Sequence, residues 1–119
     1  MGSSMLHAFL RTLKWIDVSD CVIDPENPGP EIPHKAEVVI YLRSKAVAAV
    51  SYSYEIDGFT GERIPSYRRR LLYDDKYFWS SVLAYYVEKY NAALPPDFLA
   101  HIYSRCGVKT IDGNTQLKP

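Results

Sequence analysis

Apolar residues recur at helical spacing near both ends of this chain and alternate with polar ones in its middle. Leu6, Phe9, Leu10 and Leu13 keep to one side, with His7, Arg11 and Lys14 opposite. That spacing predicts a short amphipathic helix capped by Ser3 or Ser4. So short a helix is marginal alone and must pack on something. Residues 15–23 predict a short strand. Residues 36–42 are rich in β-branched types and predict another, with a helix as the rival reading because the apolar character runs on to residue 50 without a breaker. Val50, Tyr52, Tyr54 and Ile56 then alternate with Ser51, Ser53 and Glu55, the clearest period-two stretch in the chain. Asp57-Gly58 and Thr60-Gly61 supply turn residues, and residues 63–73 return as the partner strand, with Pro65 near its start.

Asp74 is placed as the N-cap of a helix over residues 75–91, with Tyr73 and Phe78 as a hydrophobic staple. Trp79, Val82, Leu83, Tyr86 and Tyr90 make its apolar stripe. Pro95-Pro96-Asp97 opens a further helix whose inner face is Phe98, Leu99, Ile102 and Tyr103 and which Gly107 ends. The sum predicts an α+β fold: a short N-terminal helix, a two- to three-stranded antiparallel meander, and two C-terminal helices packed on one sheet face. One compact domain is expected over residues 5–108. Residues 1–4 read as the remnant of a cloning leader, with Met5 as the native start, and residues 109–119 as a polar tail with a turn at Asp112-Gly113-Asn114.

Composition narrows the function classes. The 119 residues suit a single domain. Fourteen basic and fourteen acidic side chains cancel, which leaves no global field for nucleic acid or an anionic membrane. The local balance is uneven. Residues 17–31 carry five acids (Asp17, Asp20, Asp24, Glu26, Glu31) and no base, whereas residues 63–70 carry four arginines and no acid. No apolar run approaches a membrane span, and the N-terminal apolar stretch is too interrupted for a signal peptide. Cys21 and Cys106, far apart in sequence, read as free thiols of a cytoplasmic protein rather than a disulfide framework.

Motifs of known chemistry are missing from the sequence. His7, His34 and His101 have no metal-ligand spacing, the cysteines form no CxxC pair, and neither a calcium ladder nor a phosphate loop occurs, so neither metal nor cofactor is expected. Cys106 and His101 stand five apart on one predicted helix, about 140° around it, which is poor for pairing. Glu55, Asp57 or Glu62 would need distant acids to form a carboxylate pair.

Two features remain as candidate binding sites. One is Tyr67, Arg68, Arg69 and Arg70 with Tyr52 and Tyr54 on the neighbouring strand: guanidinium forks beside aromatic rings. The other is the stiff acidic loop with Asp24, Glu26 and Glu31, where four prolines in nine residues forbid regular structure. Tyrosine and arginine are the usual material of interface hot spots, and a pre-stiffened loop loses less entropy on binding. The expected function is therefore a non-catalytic protein-binding module. In size and lack of catalytic motifs the chain resembles small bacterial immunity proteins and phage-encoded inhibitors, which act by direct contact; no residue motif is shared, so no site residue is carried over. The expected partner is another protein, with a homodimer as an alternative and no membrane. A nucleic-acid or nucleotide binder using the arginine strand, and a small enzyme with a site assembled from distant residues, are the competing readings.

Overall fold

Apolar side chains from three separate stretches of the chain close around the indole of Trp79, which has no exposed surface. The computed structural model describes residues 8–64, 68–111 and 114–117. In order, these form β1 (Lys14–Ile16), a 3₁₀ turn (Val18–Asp20), α1 (Lys35–Ser44), β2 (Ala46–Val50), β3 (Arg70–Tyr73), β4 (Tyr77–Ser80), α2 (Val82–Tyr90), α3 (Pro96–Cys106), β5 (Val108–Ile111) and β6 (Asn114–Leu117). Residues 8–10 are helical, but the helix expected to run on through Leu13 and Lys14 stops there: the Thr12 and Leu13 N–H groups turn back to the Phe9 and Leu10 carbonyls, and Lys14 opens β1; residues 1–7 lie outside the described ones.

The fold is α+β. Its sheet has four strands in the order β1-β4-β3-β2, with β1 parallel to β4 and the other pairs antiparallel. Paired residues share a sheet face. Ile16 pairs with Trp79 and Trp79 with Leu72, so this row points one way, and all three are buried. The three helices cover that face. The Trp79 Nε1–H donates to the Leu42 carbonyl of α1 at 3.0 Å, Phe98 of α3 lies 5.4 Å from it ring to ring, and Leu83 and Val87 of α2 join the same cluster. The next row, Trp15, Phe78 and Tyr73, turns to the opposite face. There Trp15 packs on Phe78 at 4.8 Å, and Phe9 packs on Tyr73 at 5.4 Å.

Several local expectations are corrected. Residues 36–42 are helical, not a strand. Val38, Val39, Tyr41 and Leu42 are buried while Ile40 is exposed, which is helical spacing and not alternation. Burial against α2 and α3 overrides the β-preference of the individual residues. The Lys35 ammonium ties the start of α1 to the end of α2, donating to the Glu88 carbonyl and to Asn91 Oδ1. Asn91 itself takes the left-handed backbone that closes α2.

Asp74 caps no helix. Its Oδ1 accepts from the N–H groups of Lys76 and Tyr77, which bends the chain into the β3–β4 turn. Tyr73 and Phe78, expected as a staple, are cross-strand partners. The aromatic run of residues 77–79 is therefore strand β4, and α2 begins only at Val82. The strand expected over residues 15–23 stops at Ile16 and gives way to the 3₁₀ turn, where Asp17 and Asp20 form a reciprocal capping box. Regular pairing of the central hairpin is limited to residues 46–50 and 70–73. Residues 108–117, expected to lie mostly in a polar tail, pair as the antiparallel hairpin β5–β6; Asp112 and Gly113 lie outside the described residues. No helix among the described residues is long and apolar enough to cross a membrane.

Trp79 is the piece on which sheet and helices both close. Replacing it with Phe removes the indole donor and leaves the Leu42 carbonyl buried without its partner, which costs about 2–4 kcal/mol from the lost hydrogen bond and the residual void. Urea unfolding of Trp79→Phe, followed by circular dichroism, checks this as a lower midpoint with an unchanged slope.

Candidate functional site

Beyond β2 the chain does not stop pairing; it bends and continues as an irregular arm. Ser51 N–H donates to the Arg69 carbonyl at 2.7 Å and Arg69 N–H to the Ser53 carbonyl at 3.1 Å. Ile64 N–H reaches the Glu55 carbonyl, Ile56 and Arg63 form an isolated bridge, and Asp57 N–H meets the Glu62 carbonyl. The tip closes through Gly61, whose N–H returns to the Asp57 carbonyl and whose φ of 74° suits glycine.

Asp57 holds this arm down on α2. Its carboxylate is 1% exposed and accepts four hydrogen bonds: from the hydroxyls of Tyr85 and Tyr90, each at 2.7 Å, and from the N–H groups of Phe59 and Thr60. The Lys89 ammonium stands 3.6 Å away. Gly58 N–H donates to the Tyr86 hydroxyl, and the Phe59 ring meets Tyr86 and Tyr90 edge-on. Burial pushes the Asp57 carboxyl up, but the four hydrogen bonds outweigh it and hold the group well below the ordinary carboxylate range. The Tyr90 and Tyr85 hydroxyls are correspondingly harder to ionise. For Tyr90 the bond to Asp57 is the main cause; for Tyr85 it is burial, then that bond.

The anchor decides which side of the arm faces out. With Asp57 turned in, Glu55 and Ser51 are half-buried as well, while Val50, Tyr52, Tyr54 and Ile56 are all exposed, Tyr52 at 83%. Ser53, at the bend, is exposed. The usual order is thus reversed, with the apolar row in water and the acidic row inside. The outward rings carry their own cations. The Arg63 guanidinium lies 3.3 Å from the Tyr54 centroid and that of Arg68 lies 4.7 Å from Tyr52.

Beneath the arm runs an open cleft of about 490 Å³. Ala49, Val50, Leu71 and Ser80 line it from the sheet, Asp17 and Val18 from the 3₁₀ turn, and Glu55, Ile56 and Arg69 from the arm, so the exposed Val50 and Ile56 border the cleft while Tyr52 and Tyr54 stand away from it. The Glu55 carboxylate accepts from Ser80 Oγ at 3.2 Å and pairs with Arg69 Nε at 3.4 Å. Among the expected site residues, Tyr52 and Arg68 are brought together, Tyr54 stacks instead with Arg63, and the Arg69 side chain turns to Glu55 in the cleft. Arg70 is half-buried, and its backbone is tied to Ser81 through the N–H and the carbonyl. Tyr67 lies outside the described residues.

The acidic loop is a separate place. Asp24 turns its carboxylate onto the N–H groups of Glu26 and Asn27, and Glu31 sits 3.6 Å from Lys35. Asn91 Nδ2 reaches the Gly29 carbonyl, and the Tyr103 hydroxyl donates to that of Pro33. Among the described residues no hydrogen bond or ion pair joins this loop to the arginine arm.

One cluster gave no signal in the sequence. Asp74, Asp75 and His101 each offer a ligand atom within 4.8 Å of the others, the spacing a metal ion needs. Those atoms are already engaged. Asp74 Oδ2 takes the Tyr41 hydroxyl at 2.6 Å and His101 Nε2 at 2.8 Å, and Arg105 holds Asp75 at 2.8 Å. Burial pushes the Asp74 carboxyl up, but the bonds from Tyr41, Lys76, Tyr77 and His101 together lower it. The arrangement does the work of a fold-locking polar network. The thiols are no better placed for chemistry: burial, with Asp20 and Asp17 beside it, pushes Cys21 up to about 12, and burial raises Cys106 as well.

Asp57→Asn keeps the shape and removes the charge, and is expected to cost about 2–4 kcal/mol, the scale for truncating a buried charge-assisted network. Because the native carboxyl is depressed, its contribution is complete above the unfolded value of about 4 and fades as the pH falls below it. Thermal melts from pH 7 to pH 2 should show a shallower acid loss in Asp57→Asn than in the parent, the remaining slope coming from groups such as Asp74.

Compared with known proteins, the chain matches no family model, and no curated protein or solved structure is significantly similar to it.

Proposed function

We propose that this chain is a non-catalytic protein-binding module that works by direct contact through the outward row Val50, Tyr52, Tyr54 and Ile56. The observation that supports it most is the inverted arm. Four large apolar or aromatic side chains in period-two succession lie in water while an acid of the same strand is buried. Turning such a row outward loses hydrophobic stabilisation unless something else covers it. The stacking of Arg63 and Arg68 on the tyrosine rings restricts those long side chains before a partner arrives, which lowers the entropy lost on binding. Tyrosine and arginine are also the residues on which binding energy concentrates.

The nucleic-acid reading has less support. Each of the two rings that would stack on bases already carries a guanidinium, Arg69 is partnered by Glu55, and the net charge is zero. An inhibitor or immunity-type role in the cytoplasm suits the small size, the direct-contact surface and the two free thiols, and belongs to the same proposal.

Tyr52→Ala and Arg68→Ala should leave stability within about 0.5 kcal/mol, as surface changes do, while weakening a genuine partner complex at least about tenfold. A photo-reactive side chain at position 54 should crosslink one protein in the native host cells, and the same group in place of the exposed Ile40 on α1 should not. Equal labelling from both positions, or none from position 54, would count against the reading.

A further inference from the structure

Strand β2 is an edge. It pairs with β3 on one side, and among the described residues no backbone group pairs with its other side. Its five residues, Ala46 to Val50, are alanines and valines with no charge and no proline, and all but Ala48 are exposed. Such an edge is a template for another strand. Its ends are basic. Lys45 precedes it, and the arm that continues from it carries Arg63 and Arg68, neither of which has an acidic partner among the described residues. The register shift between Val47 and Ala49 breaks the flatness of the edge, which disfavours indiscriminate pairing and leaves the flanking charges to choose the occupant.

We infer that β2 binds an extended, acidic segment of another protein, added as a further strand of the sheet with its acids against Lys45, Arg63 and Arg68. This deepens the protein-binding reading and rests on it. Main-chain hydrogen bonds along β2 hold the segment, and the charges at its ends select it. A second copy of this chain fits less well. Antiparallel pairing of two β2 strands about Ala48 brings the Arg68 end of one beside Lys45 of the other, and like charges meet.

The probe is an end-blocked seven-residue peptide alternating glutamate and valine, with its lysine–valine counterpart and a version N-methylated at alternate residues. Amide chemical shifts and peptide anisotropy are read on the full chain. The acidic peptide should bind at least about tenfold tighter than the basic one, shift the amides of residues 46–50, and lose binding on N-methylation. The double change Arg63→Glu and Arg68→Glu, on exposed side chains, should reverse the preference. Equal binding of both peptides overturns the inference. So do shifts confined to residues 52–56 that survive N-methylation, although the outward-row reading then stands. Doubling of the mass by light scattering, abolished by Ala48→Pro, overturns it in favour of self-pairing. Absence of shifts at both places overturns the inference, while the parent reading stands or falls by the crosslinking at position 54.

Discussion

One buried carboxylate sets the orientation of everything this protein turns toward solvent on its sheet edge. Asp57 is desolvated, and a desolvated charge is destabilising by several kcal/mol unless its lone pairs are filled. They are filled by Tyr85 and Tyr90 of α2 and by two backbone N–H groups of its own turn. Since side chains alternate along extended chain, fixing one residue inward fixes its neighbours. Glu55 comes to lie in the cleft with Ser80 and Arg69, the exposed Ile56 borders that cleft, and Tyr52 and Tyr54 go out. The tyrosines of α2 thus act at a distance on the surface: they serve as hydrogen-bond donors to the anchor and as an aromatic seat for Phe59.

A second polar lock does comparable work at the other end of the sheet. Asp74 shapes the β3–β4 turn with one oxygen and joins Tyr41 of α1 to His101 of α3 with the other. Three elements distant in sequence are tied to one carboxylate, while the apolar core around Trp79 supplies the bulk of the burial. Both locks use an aspartate in a turn with tyrosine donors from helices. Much of the high tyrosine content therefore belongs to internal donors, and Tyr52 and Tyr54 stand apart from it because their hydroxyls enter no such lock.

The consequence is a molecule with a closed helical side and an open edge. On the helical side, Lys35, Asn91 and Tyr103 fasten α1, α2 and α3 to one another and to the proline loop. On the open side, the short uncharged β2 leads into an arm whose rings are stacked by arginines. Edges of this kind are usually blunted by charge. Here the charges sit at the two ends of the strand, which leaves its middle available.

Local chemistry settled part of this fold from the sequence. Pro96 and Gly107 bracket α3, the stripe of Leu83, Tyr86 and Tyr90 marks α2, and the prolines of the acidic loop exclude regular structure there, because capping, periodicity and a missing N–H act over a few residues. Period-two alternation also announced the arm, together with Tyr52, Tyr54 and Arg68 as its notable residues. What needed the tertiary structure was every choice between two locally acceptable states. Residues 36–42 are β-prone yet helical, because α2 and α3 bury a helical face. Residues 77–80 join the sheet because Asp74 makes a turn rather than a cap. Above all, alternation says that two faces differ, not which one is inside, and hydrophobicity alone would have put the tyrosines in. The direction came from Asp57, whose partners Tyr85 and Tyr90 lie about thirty residues along the chain, a distance over which no local pattern carries information.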